Sequence, residues 1–97
     1  MPKRSWLPLR GIADEKQYRK LILRKLLEHG YVGGRHTSED NIAKGFPPAH
    51  HKSILEAYRQ LKREVFFILK PKPDGVHISL NPRMLSQIRA AIEIPNT

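Results

Sequence analysis

One central stretch of the chain carries cationic and hydrogen-bonding side chains of the types that bind anions. Such side chains can contact phosphate oxygens and the polar edges of nucleobases. The sequence has no paired-carboxylate spacing, nucleophile elbow, Ser-His-Asp pattern or phosphate loop, so we expect binding and not enzymatic catalysis. The candidate residues are His50, His51, Lys52, Ser53, Arg59, Gln60 and Arg63.

The stretch that carries these residues, 47–64, is predicted to form one helix. Pro47 and Pro48 suit the first turn, where a backbone N–H has no partner in any case. An apolar stripe follows at the spacing i, i+3, i+4 and i+7. At about 100° per residue, the cations, Glu56 and Gln60 lie on the other side. The stripe consists of Ile54, Ala57, Tyr58 and Leu61.

Overall charge supports an anionic partner. The 97 residues include 18 Lys and Arg against nine Asp and Glu, which gives a net charge of +9 and a pI near 10.3. A small domain with this excess tends to bind polyanions, of which duplex DNA is the commonest. The chain has no cysteine, which excludes disulfides and cysteine-ligated metal. No apolar run approaches a membrane span, so we expect no membrane partner and a cytoplasmic location.

Before the central stretch the pattern predicts a basic extended arm over residues 1–13 and a helix over 14–29. Asp14 is the expected N-cap and Gly30 the expected residue after the helix. Leu23 and Leu27 make the apolar sector wider than one packing surface needs. Either a neighbouring helix or a second subunit covers them, and a homodimer would use Leu23, Leu27, Ile88 and Ile92.

A second, short helix is predicted from Ser38 to about Lys44. Ser38 or Thr37 would cap it, and acidic side chains in its first turn favour the positive end of the helix dipole. Gly45 would stop it. A short capped helix, a glycine turn and a longer basic helix are typical of a helix-turn-helix.

A β-hairpin and a last helix are predicted after the central helix. Residues 65–70 and 76–80 have strand composition, and Asp74-Gly75 is a turn signal between them. Lys70 and Lys72 lie near the tip, where they could contact phosphate. Asn81 is the expected cap of the last helix, Pro82 suits its first turn, and residues 95–97 form a tail.

The order helix, helix, helix, strand, strand, helix resembles the winged helix-turn-helix superfamily over about residues 14–94. SILEAYRQL, residues 53–61, is similar to its third helix, and GVHISLNPRMLSQIRAAI, residues 75–92, to the second wing strand and following helix of small archaeal regulators. The resemblance implies an α+β fold with three helices, a two-stranded antiparallel wing and a C-terminal helix. It further implies a transcriptional regulator that binds double-stranded DNA, with helix 47–64 in the major groove and hairpin 65–80 as the wing.

Two other partners stay open at this stage. One is RNA, for an RNA-binding or ribosome-associated winged helix, and the other is a protein, for an interaction module. Glu56 could accept from a cytosine amine or pair with Arg59 or Gln60. We expect no cofactor and no metal site, because the five histidines are scattered and show no ligand spacing. We expect the aromatic residues Phe46, Tyr58, Phe66 and Phe67 to be core residues.

Overall fold

The computed structural model describes residues 15–92. This range contains three α-helices and one three-stranded antiparallel sheet. The predicted arm at 1–13, the Asp14 cap and the tail at 95–97 lie outside these residues. The domain is therefore α+β. Its elements are α1 (Glu15–Glu28), β1 (Thr37–Ser38), α2 (His51–Lys62), β2 (Phe67–Lys72), β3 (Gly75–Leu80) and α3 (Leu85–Ile92).

Helix α1 ends as its sequence predicts, at a glycine with positive φ. Gly30 has φ 76°, a conformation that costs residues with a Cβ. The Gly30 N–H donates to the carbonyl of Leu27 at 3.0 Å, and the Tyr31 N–H donates to that of Leu26 at 3.0 Å. These two bonds form a Schellman motif, which satisfies the last carbonyls of the helix.

The prediction of a second helix from Ser38 to about Lys44 is wrong, because no α-helix forms there. Residues 39–41 form one turn of 3₁₀ helix, and the chain then runs irregularly to residue 47. Ser38 does cap this turn, because its hydroxyl accepts from the Asp40 N–H. The carbonyls of Asn41, Ile42 and Lys44 accept hydrogen bonds from the Lys25 ammonium of α1, and the Asn41 carbonyl also accepts from the Lys44 N–H at 3.3 Å.

Helix α2 forms close to its predicted position. A 3₁₀ turn at Pro48–His50 leads into it, and its last helical residue is Lys62, two residues before the predicted end at Glu64. All four residues of the predicted apolar stripe are buried. The helix packs against α1 through this stripe, which leaves the opposite side open to solvent.

The hairpin forms with its first strand two residues later than predicted and its second strand one residue longer, and a third strand joins it. Lys72 pairs with Gly75, so Pro73 and Asp74 form the two-residue turn and Gly75 follows them. Proline suits the first central position of such a turn. Strand β1 is only two residues long and pairs with β3 on its other edge, which gives the order β1-β3-β2. No pattern in the sequence predicts β1.

The core lies between α1, α2, α3 and the inner face of the sheet. Leu23 and Ile88 are 2% and 0% exposed, so packing within one chain buries them and leaves no surface for a second copy. That part of the homodimer prediction is wrong. Leu27 and Ile92 are half-buried against the same core. Phe46, Tyr58 and Phe67 are buried and Phe66 packs beside them, which confirms their predicted core role.

Candidate nucleic-acid interface

The solvent side of α2 presents most of the predicted candidate residues together. Lys52, Arg59, Gln60 and Arg63 are exposed, and Ser53 is half-buried. Within residues 15–92, neither Arg59 nor Arg63 makes an ion pair or a side-chain hydrogen bond. Their guanidinium groups can therefore bind a ligand without breaking a contact of the fold. A cleft of about 450 Å³ runs along this side, lined by Tyr18, Ser53, Glu56, Ala57, Arg59, Gln60 and Arg63.

Glu56 is the one acidic group in the lining of this cleft. Its carboxylate is exposed and has no ion pair within the described residues, so the predicted pairing with Arg59 or Gln60 is not observed. A carboxylate in this position repels phosphate and accepts hydrogen bonds from amino groups. It therefore favours phosphate contacts at the two ends of α2 over phosphate contacts at its middle.

The two histidines at the start of α2 are partly committed to the fold. His50 Nδ1 lies 2.8 Å from the Tyr18 hydroxyl, and His51 Nε2 lies 2.7 Å from the Phe46 carbonyl oxygen. Because a carbonyl only accepts, His51 carries its proton on Nε2. Each ring keeps only its second nitrogen for a ligand. Both rings therefore hold the entry of α2 in place, a role that sequence spacing did not indicate.

Other cations near α2 are engaged by acidic side chains. Arg19 of α1 forms two hydrogen bonds with Glu64, at 2.8 and 3.0 Å, which join α1 to the end of α2. Lys62 lies 3.4 Å from Glu39, and the Tyr58 hydroxyl donates to the same carboxylate at 2.7 Å. Burial, and then Glu39, raises the pKa of Tyr58 far above its ordinary value, so the hydroxyl stays a donor. Arg19 and Lys62 are therefore held by contacts of the fold, whereas Arg59 and Arg63 remain available to a ligand.

The chain matches no known family model, no curated protein and no solved structure. The interface is consequently defined by the geometry and charge of its own residues. Within the described range no helix is long and apolar enough to cross a membrane.

The hairpin adds a second group of cations. Lys72 is exposed at the turn, and Lys70 is half-buried in β2 directly opposite His77 of β3. His36, just before β1, reaches His77 across the sheet, with 2.9 Å between the two Nδ1 atoms. These histidines are scattered in the sequence. Because they are 41 residues apart, no local pattern predicts their contact. Residues 15–92 contain no cluster of three or more His, Asp or Glu side chains that could hold a metal ion.

Proposed function

We propose that this protein binds double-stranded DNA as a winged helix-turn-helix transcriptional regulator. In this proposal α2 lies in the major groove and the β2–β3 hairpin is the wing beside it. The observation that carries the proposal is the open side of α2, where exposed cations without partners among the described residues follow one face of a helix. The net charge of +9 supplies the long-range attraction that such binding needs.

The dimensions of α2 suit the groove. Twelve residues give a helix about 18 Å long, and a helix with its side chains is about 10–12 Å wide. The major groove of B-DNA is about 12 Å wide and admits one helix. The 3₁₀ turn Glu39–Asn41 occupies the place of the first helix of the motif, and it packs on β3.

The side chains of α2 suggest distinct roles. Lys52 near its start and Arg63 at its end suit phosphates on either side of the groove, since neither is needed by the fold. Arg59 and Gln60 can reach base edges, where Arg pairs with guanine and Gln with adenine. Glu56, one helical turn before them, can accept from a cytosine amine and disfavours other bases. The proposed interface therefore combines phosphate contacts at its ends with limited base readout at its middle.

Charge reversal on α2 tests the proposal. Arg59→Glu with Arg63→Glu should abolish duplex binding in a fluorescence-anisotropy titration while the circular dichroism spectrum stays unchanged. The matched control is Arg83→Glu with Arg89→Glu, which changes the net charge equally at two exposed positions of the last helical segment. This control should lose far less affinity. Equal losses in both variants would mean that only net charge matters, and an unchanged affinity in the first would refute the role of α2.

The salt dependence gives a quantitative version of the same test. Each phosphate neutralised contributes about 0.9 to the slope of log affinity against log salt concentration, so Lys52→Gln with Arg63→Gln, which removes both proposed phosphate contacts, should make the slope shallower by about 1.8. At 0.1 M salt this corresponds to a loss of about 60-fold in affinity. Competition between duplex DNA and structured RNA should favour the duplex. Tighter RNA binding would assign the surface to RNA, and salt-independent binding of a protein partner alone would assign it to protein interaction.

A further inference from the structure

The outer face of the hairpin holds a pair of histidines in direct contact. The Nδ1 atoms of His36 and His77 are 2.9 Å apart, and the rings meet edge to face with centroids 4.9 Å apart. A hydrogen bond between two imidazole nitrogens uses one proton, because one nitrogen must donate and the other accept. A proton on both facing nitrogens would set two donors against each other with no acceptor between them.

Lysine side chains surround this pair on the same face of the sheet. Lys70 is directly opposite His77 in the register, and Lys72 follows two residues later, so strand alternation turns all three side chains to one side. Loss of water around the ring holds the pKa of His36 below its ordinary value, and Lys72, His77 and Lys70 lower it further. The free protein therefore favours the neutral form of His36.

One acidic group faces the pair from the turn. The Asp74 carboxylate lies 3.4 Å from Nε2 of His77, and a hydrogen bond from His77 is the main reason that the pKa of Asp74 is lowered. On the remaining side, β1 contributes Ser38, which has no charge, as the register partner of His77. The cluster thus contains one largely exposed carboxylate, two lysine ammonium groups and two titratable imidazole rings. The cluster has more positive charge than its own acidic partner can balance.

We propose that His36, His77, Lys70 and Lys72 form a subsite for a backbone phosphate of the duplex, and that its occupation is coupled to uptake of a proton by the histidine pair. This inference rests on the proposed function. It goes further by adding two histidines to the interface and by making affinity depend on pH.

The coupling follows from the charges. A phosphate bound beside the pair accepts an N–H bond from each ring and offsets the repulsion from Lys70 and Lys72, so it favours the pair that has taken up one proton and has one ring as an imidazolium. Proton binding and ligand binding are linked, so a ligand that raises the proton affinity of the pair binds more tightly at lower pH. Uptake of up to one proton makes duplex affinity rise by up to about tenfold for each pH unit lost through the range in which the pair titrates.

The test is the duplex dissociation constant from pH 8 to pH 5.5 at fixed ionic strength. We expect the parent to bind about tenfold or more tightly at the acidic end. His36→Gln and His77→Gln should flatten this dependence. The control is His29→Gln, at the exposed end of α1, which should keep it. A flat profile in the parent, or a slope that persists in both His36→Gln and His77→Gln, would overturn the inference.

A second measurement does not depend on whether the variants fold. The ring signals of His36 and His77 in the parent can be titrated by NMR, alone, with inorganic phosphate, and with duplex DNA. We expect the apparent pKa of the pair to rise in the presence of either anion, and unchanged values with duplex bound would overturn the subsite. If the parent binds no duplex at any pH, the proposed function itself fails. If it binds duplex with unshifted histidines, only the subsite fails.

Discussion

Replacing Lys25 with Met tests how the segment between β1 and α2 keeps its shape without a helix. The Lys25 Nζ donates to the carbonyl oxygens of Asn41 at 3.0 Å and Ile42 at 3.2 Å, and to that of Lys44. It also lies 5.2 Å from the centre of the Phe46 ring. Methionine keeps most of the aliphatic stem but has no donor, so the variant removes the hydrogen bonds and the charge with little change in packing.

The size of the effect follows from the burial of these groups. A hydrogen bond to a charged group contributes about 1.5–3 kcal/mol. Burial, and then the charge of Lys44, lowers the pKa of Lys25, which means that the ammonium itself carries a desolvation cost. Lys44 is exposed, so water can replace the ammonium at its carbonyl. With two bonds lost and part of the desolvation recovered, we expect unfolding free energy to fall by about 2–3 kcal/mol.

Urea unfolding followed by far-UV circular dichroism measures this difference. In a domain of this size the expected loss lowers the melting temperature by about 10–20 °C. The control is Lys20→Met, on the same helix, which removes an equal charge from a side chain with no hydrogen bond or ion pair inside residues 15–92 and should stay within about 0.5 kcal/mol of the parent. Amide hydrogens of residues 39–46 should exchange faster only in Lys25→Met. A Lys25→Met protein as stable as the control would refute the reasoning.

Two further substitutions test the packing around this segment. Tyr58→Phe removes the hydroxyl that donates to Glu39 at 2.7 Å and should cost about 1.5–3 kcal/mol in urea unfolding. A double-mutant cycle with Glu39→Ala, which removes the acceptor, that showed purely additive losses would mean that this bond contributes nothing. Ile88→Ala, at a site with no exposure, should cost about 2–5 kcal/mol at every protein concentration. A loss that varied with concentration would instead indicate that Ile88 contacts a second copy of the chain.

Local interactions explain where prediction from the sequence worked. Gly30 ends α1 through bonds to residues three and five positions earlier, and the Asn81 side chain accepts from the Arg83 N–H two positions later. The apolar stripe of α2 is buried because its spacing matches the helical repeat. In each case the partners are within a few residues of one another, so residue types and spacing determine the outcome.

Contacts between distant residues explain where it failed. Residues 38–44 carry good helix signals, but the carbonyls of Asn41, Ile42 and Lys44 bind Lys25, which lies 16 to 19 positions away and is not visible to local sequence signals. Strand β1 has two residues, too few for a period of two to be visible. Leu23 looked like surplus apolar surface because a helix drawn alone does not show which neighbours cover it.

The same distinction between local and distant contacts applies to the candidate interface. Composition and a fixed rotation per residue are enough to show that the chain is strongly basic and that cations lie on the side of the central helix away from its apolar stripe. Tertiary packing, in contrast, pairs Lys62 with Glu39 and leaves Arg59 and Arg63 without a partner within the described residues. It alone brought His36 to His77, because pairing across a sheet joins residues that are far apart in the chain.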